Sequence, residues 1–228
     1  MEKVIVITGA SDGMGKAIAK DLSKDNKVII LSKSNDKLEK VSKEINCDYK
    51  VCDVTDYHMC DSVINEIINV FGKIDVLINC AGVWLSGNLE DTDYEKISNC
   101  IDVNTKGPIY MTKAVLPNMY QNRDGLIINV MSQAAYDNDD FSSVYNASKW
   151  AVRAFNRSIN KTASKNGVRI NGFYPGFTQT DLFKKAGLDI DTSSGLELDR
   201  IVKAIRFMID IDSDVIITEL GVKDIENY

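Results

Sequence analysis

Short runs rich in β-branched residues alternate along the chain with longer stretches whose apolar residues recur every three to four positions. That alternation predicts an α/β protein with a parallel sheet covered by helices. Val4–Ile7 predicts the first strand, and its unbroken apolar character fits burial on both faces. Further strands are predicted at Val28–Leu31, Tyr49–Cys52, Asp75–Ile78, Leu126–Val130, Val168–Tyr174 and Val215–Thr218. Helices are predicted over Gly15–Lys24, from a cap at Asn35 or Asp36 through Ile45, and over Asp56–Phe71 with Gly72 closing it. A long helical region spans Asp91–Tyr120, with Asn104 inside it and Pro108 expected to kink it. The next helix runs to Asn166, with Val144, Ala147, Ala151, Val152, Phe155 and Ile159 as its core stripe. Residues 181–195 read as irregular, and a last helix covers Leu196–Ile209. No repeat, low-complexity segment or linker interrupts the pattern, so residues 1–228 read as one domain: a doubly wound parallel sheet of about seven strands with helices on both faces.

Composition narrows the function classes. The 228 residues suffice for one sizeable core, and a net charge of −6 argues against a nucleic-acid partner. No apolar run approaches the roughly 18 residues needed to span a bilayer, so no membrane partner is expected. The apolar stretch within Met1–Gly9 is too short for a signal peptide, which points to the cytoplasm. Cys47, Cys52, Cys60, Cys80 and Cys100 form no Cys-x-x-Cys pair and read as reduced thiols. The single histidine, His58, sits in a polar stretch that reads as a helix start, and no metal site is expected.

Two motifs carry chemistry. Thr8-Gly9-Ala10-Ser11-Asp12-Gly13-Met14-Gly15 lies between the first strand and the first helix. Its glycines permit a tight turn and close backbone approach to a pyrophosphate, and the helix N-terminus offers amide donors to an anion. The spacing is Gly-x-x-x-Gly-x-Gly rather than the commoner Gly-x-Gly-x-x-Gly. Further on, Tyr145 and Lys149 stand four residues apart and so share a helix face. An ammonium beside a phenol favours the phenolate, drawing the tyrosine down from its ordinary value of about 10 and suiting it to general acid–base work near neutrality.

Together with Asn79-Cys80-Ala81-Gly82, Asn104, Ser132, Tyr145-Asn146-Ala147-Ser148-Lys149 and Pro175-Gly176, the glycine turn resembles the short-chain dehydrogenase/reductase family over nearly the whole chain. The resemblance implies a single-domain Rossmann fold and an NAD(P)-dependent oxidoreductase acting on a small-molecule carbonyl or alcohol. It implies that Tyr145 passes a proton to or from the substrate oxygen and that Lys149 tunes Tyr145 and bonds the nicotinamide ribose. Ser132, thirteen positions before Tyr145, would hold the substrate oxygen, and Asn104 would support a water relay to Lys149. For the cofactor it implies Gly9, Ser11, Asp12, Gly13, Met14 and Gly15 in the first turn. Asp53 and Val54 would take the adenine, Asn79, Ala81 and Gly82 would line the cleft, and Pro175, Gly176, Thr178 and Thr180 would close over the nicotinamide and phosphates.

Cofactor choice follows from charge. A carboxylate after the second strand would bind the ribose 2′-hydroxyl of NAD, but the chain there reads Leu31-Ser32-Lys33-Ser34. Lys33 and the hydroxyls of Ser11, Ser32 and Ser34 suit a 2′-phosphate, so NADP(H) is favoured with NAD(H) as the alternative; Asp12 opposes this. Cys80 stands where the family usually has a second asparagine, and Ser132 lacks the glycine that often follows it. The sequence also stops soon after the last strand, in Glu219–Tyr228. The resemblance implies a homodimer or homotetramer; the short C-terminus counts against the tetramer usual in the family, and a dimer through the two long helices remains open. Trp84, the acidic run Asp137-Asn138-Asp139-Asp140, and Leu182, Phe183, Ala186 and Leu188 in the lid region are expected around the substrate, an aliphatic or alicyclic ketone or alcohol. The rival reading is a non-catalytic dinucleotide sensor on the same fold, against which the retained Tyr–Lys pair argues.

Overall fold

Alternation of side chains along each strand decides how the chain layers. In the computed structural model, which describes residues 2–138 and 140–225, β1 (Val4–Thr8) sends Ile5 and Ile7 to one face of the sheet and Val4 and Val6 to the other. The remaining strands are β2 (Lys27–Ser32), β3 (Asp48–Val51), β4 (Val76–Asn79), β5 (Gly125–Val130), β6 (Val168–Pro175) and β7 (Glu219–Val222). They form one seven-stranded sheet in the order β3-β2-β1-β4-β5-β6-β7, and every pairing is parallel.

The first face is covered by α1 (Gly13–Leu22), α2 (Asn35–Ile45) and α8 (Leu198–Asp210). Ile18 and Leu22, Leu38 and Val41, and Ile201 and Ile205 pack there against Ile5, Ile7 and Ile30. The second face is covered by α3 (Tyr57–Phe71), α5 (Gly107–Asn122) and the end of α6 (Ser143–Ala163), through Ile64 and Ile67, Met111 and Val115, and Ala163. The expected doubly wound Rossmann architecture is therefore present. The chain winds outward from β1 to β3 and then returns to place β4 on the other side of β1, with Thr8 beside Asn79. Ligands of such sheets bind where the winding reverses, outside the carboxyl ends of the strands.

Four expectations need correction. The last strand is Glu219–Val222, not Val215–Thr218. The apolar run Val215–Ile216 is exposed, and pairing instead begins where Glu219 meets two arginines of α6 and Leu220 and Val222 turn into the core. The long helix is not a kinked α-helix. It comprises α4 (Tyr94–Ile101), a π-helical segment at Asp102–Lys106, and α5, so the irregularity precedes Pro108. The apolar stripe of α6 is not wholly core: Ala147 and Ala151 are exposed, while Tyr145, Asn146, Ser148, Lys149 and Asn156 are buried. Within residues 181–195 there is a short helix, α7 (Leu182–Lys185). As expected, His58 lies at a helix start, where Asp56 caps α3 by accepting from the His58 and Met59 amides. No helix among the described residues is long and apolar enough to cross a membrane. Met1, Asp139 of the acidic run and Glu226–Tyr228 of the C-terminal segment lie outside the described residues.

Candidate active site

The glycine turn is built by close contact. Gly9 takes φ +67°, and a Cβ there would lie 2.6 Å from Ala81 Cα; one on Gly15 would lie 2.6 Å from the Gly9 carbonyl oxygen. Thr8 Oγ1 accepts hydrogen bonds from the amides of Cys80 (3.1 Å) and Ala81 (3.2 Å), fastening the turn to the end of β4. Gly9→Ala therefore combines left-handed strain with backbone overlap, and we expect it to cost about 2–4 kcal/mol in urea unfolding. A stability within 0.5 kcal/mol of the parent, on the order of a surface substitution, would contradict the packing described.

Beside this turn runs a groove of ≈ 280 Å³. Of the residues expected at the cofactor, Gly9, Ser11, Asp12, Gly13, Met14, Gly15, Ser32, Lys33, Asp53, Val54, Ala81, Gly82 and Thr180 line it. The fit to a dinucleotide is physical. No acidic residue sits in the first turn of α1, and the N-cap Asp12 makes no side-chain cap, so no side chain of its own cap takes up the amide donors there. A Cβ on Gly13 would meet nothing nearer than Thr180 Cγ2 at 3.9 Å, which leaves room for close approach. At the β2 end, Ser32 Oγ donates to Ser11 Oγ (3.1 Å). Asn79 departs from expectation. Its side chain is buried and donates to Asn129 Oδ1 (2.7 Å), and Asn129 Nδ2 donates in turn to Asn156 Oδ1 (2.6 Å), so it ties β4 to β5 and α6 and does not line the groove.

A second cavity, of ≈ 370 Å³, adjoins the first; Met14, Thr180 and Leu182 line both. Ser132 and Tyr145 share its wall with Pro175, Gly176 and Thr178. Ser132 Oγ accepts from the Ala134 amide (3.2 Å). One turn beyond Tyr145 on α6, Lys149 is 5% exposed, and its Nζ lies 3.5 Å from the Val130 carbonyl and 5.5 Å from the Tyr145 ring centroid. Burial draws the Lys149 ammonium down to about 8, against the opposing pull of the Cys80 and Cys100 thiols. Asn104 projects from the π-helical segment. It donates to Val83 O (2.9 Å) and Ser148 Oγ (3.2 Å) and accepts from Val83 N (2.8 Å), clamping the 82–83 turn. A Cβ on Gly82 would lie 3.4 Å from Asn104 Oδ1 and 3.7 Å from Lys149 Nζ, so that glycine is where the two side chains converge.

Aromatic side chains roof the second cavity. The Trp84 ring lies 4.3 Å from that of Tyr145 and 4.9 Å from that of Phe183, and Phe183 lies 5.5 Å from Phe177. Trp84 thus walls the site and also lines a third cavity of ≈ 400 Å³ toward Leu85, Asn99 and Leu188. Ala186 lines that same cavity, while Asp137 and Asn138 line the second. Two lysines absent from the sequence-based expectation also face the dinucleotide groove: Lys37 on α2 and Lys185 on α7. Asp12 pairs with both, at 3.9 Å to Lys37 and 2.6 Å to Lys185. The i,i+4 relation of Lys37 to Lys33 across the start of α2 was the available signal for the first; nothing local marked the second.

Comparison with known proteins bears on this geometry. The family described as short chain dehydrogenase matches residues 3–191. An uncharacterised oxidoreductase of Staphylococcus epidermidis is 32% identical over 227 residues, covering 98% of each chain. Among solved structures, an alcohol dehydrogenase from the archaeon Thermococcus sibiricus, complexed with 5-hydroxy-NADP, superposes with a TM-score of 0.91 at 28% identity, over 100% of this chain and 99% of its own. A metagenomic short-chain oxidoreductase in complex with NADP does so at 0.84 and 28%, over 96% of each chain.

Proposed function

The chain belongs to the short-chain dehydrogenase family, and from that premise we propose that it is an NADP(H)-preferring oxidoreductase interconverting a carbonyl and a secondary alcohol on a small molecule. One observation carries the reading: Ser132 and Tyr145 wall a single cavity, with Lys149 one turn below the tyrosine, and that cavity shares Met14, Thr180 and Leu182 with the groove beside the glycine turn. Tyr145 gives a proton to, or takes it from, the substrate oxygen. Lys149, still protonated at pH 7, favours the phenolate. Ser132 Oγ already accepts from Ala134, which leaves its own proton to donate to that oxygen. Asn104 fixes the 82–83 turn beside Lys149 Nζ and in this way serves the proton relay. When bound, the nicotinamide supplies or receives the hydride. The glycine turn, Asp53, Val54, Ala81 and Gly82 hold the dinucleotide, and Pro175, Gly176, Thr178 and Thr180 cover it, with residues 181–195 as lid. Trp84, Phe177 and Phe183 favour an aliphatic or alicyclic substrate. Residues 1–228 act as one unit in the cytoplasm, as a homodimer or homotetramer, and the exposed Ala147 and Ala151 on α6 suit close helix contact.

The preference for NADP(H) gains support from Asp12. Its charge is met by Lys37 and Lys185, so it draws cations to the groove rather than opposing a phosphate there. NADPH is expected to bind at least about tenfold tighter than NADH in fluorescence titration, and replacing Lys33 and Lys37 together by Met should nearly abolish the difference. Equal affinities in the parent protein would overturn the preference. The activity itself is tested by following NADPH and NADH oxidation across ketones, aldehydes, diketones and β-keto esters. Tight cofactor binding with no turnover on any of them would favour a dinucleotide sensor instead.

A further inference from the structure

Ser132 leaves the end of β5 and enters a three-residue 3₁₀ turn, Gln133–Ala135, too short to hold its own position. Gln133 Nε2 ties it to β6 by donating to the Tyr174 carbonyl at 2.7 Å, and a second anchor comes from α6 and β7. Arg153 follows Tyr145 and Lys149 at the same four-residue spacing, so the three lie along one helix face. Its Nη1 donates to the Ala135 carbonyl at 2.9 Å. Its Nε and Nη2 form a two-pronged pair with Glu219 at 3.0 and 3.1 Å, and its guanidinium lies 4.0 Å from the centre of the Tyr136 ring. The Tyr136 hydroxyl donates to the same carboxylate at 3.0 Å. Arg153 and Glu219 are 13% and 18% exposed, so this network is largely shielded from water. Burial would raise the Glu219 carboxyl, but its hydrogen bonds from Arg153, Arg157 and Tyr136 outweigh that and hold it near 2, so it stays charged throughout the working pH range.

We infer that Arg153, anchored by Glu219, is a positioning residue that sets the Ser132 turn in register with Tyr145, acting through the serine and touching neither substrate nor cofactor. This rests on the reading of Ser132 and Tyr145 given above. The logic is mechanical: the rigid helix fixes Arg153 relative to Tyr145, and its bond to Ala135 O and its contact with the Tyr136 ring carry that reference to the serine turn. Displacements of about 1 Å in such a constellation cost up to about a hundredfold in rate.

A double-mutant cycle between Arg153 and Ser132 tests it. Ser132→Ala should lower kcat by about a hundredfold. Arg153→Ala should lower kcat by about thirtyfold, leave the NADPH dissociation constant within about twofold, and cost less than about twofold when introduced into Ser132→Ala. Should Arg153→Ala fail to fold, Arg153→Lys, which keeps the charge but loses the fork, enters the same cycle. Effects that multiply, or a loss that appears in cofactor affinity rather than kcat, would overturn the inference and leave the active site standing. Undiminished turnover in Ser132→Ala would overturn the site reading, and this inference with it.

Discussion

Tyr145→Phe should lower kcat/KM by about a thousandfold or more while NADPH affinity stays within about threefold. The substitution removes one oxygen and keeps the ring, so the contact with Trp84 at 4.3 Å survives and the cavity keeps its shape. What disappears is the group that, on the proposed function, exchanges a proton with the substrate oxygen. Without it the developing alkoxide has Ser132 to hold it but no acid to neutralise it. Steady-state turnover with a saturating ketone, beside a direct NADPH titration, separates chemistry from binding. A kcat/KM within tenfold of the parent would mean that another group delivers the proton.

Lys149→Met should abolish turnover and stabilise the fold. Met matches the length of the lysine stem but carries no charge, and Lys149 is almost wholly buried with one weak bond, to Val130 O. The sign follows from proton counting. In the unfolded chain Lys149 keeps its proton up to pH 10.5, whereas in the folded protein burial releases it near 8. Between those values the unfolded state binds more protons, so the stability of the parent rises with pH. Below pH 8 the cost of burying the charge is present in full, about 3 kcal/mol, because each pH unit separating the two values is worth about 1.4 kcal/mol. The variant should therefore be more stable by that order at pH 6–7, with the gap closing from pH 8 toward 10.5. The Cys80 thiol, pushed up to about 12 by burial, is common to both chains. Urea midpoints measured at several pH values check this. A variant less stable than the parent at pH 7 would show that the ammonium has compensation beyond the Val130 carbonyl.

Together the two outcomes would describe a site that holds an unfavourable charge for the sake of its tyrosine. They also explain where reading the sequence succeeded. Strands β1, β2, β4 and β5 and the glycine turn are legible because their signals are local: short unbroken apolar runs, then residues only a close turn accepts. The convergence of Tyr145 and Lys149 is legible for the same reason, being a property of helix spacing. α6 misleads because its apolar residues suggest a buried side, whereas Tyr145, Asn146, Ser148, Lys149 and Asn156 occupy that side and Ala147 and Ala151 face outward. Asn79 misleads differently, since its proximity to the glycine turn in space does not fix where its amide turns. The Arg153–Glu219 pair spans 66 residues and Asp12–Lys185 joins a turn to a distant short helix; no window of sequence contains either. β7 is displaced because the strand begins at a carboxylate with partners on α6, not at the apolar run before it.

The contact of Trp84 with Tyr145 has an optical side. The chain has two tryptophans, and the other, Trp150, is 41% exposed with its indole N–H bonded to Asn138. Trp84 alone of the two lines both chambers beside the tyrosine. Its emission therefore originates beside the cavity that the proposed function assigns to the substrate, and removing Trp150 leaves a protein with a single, built-in tryptophan there.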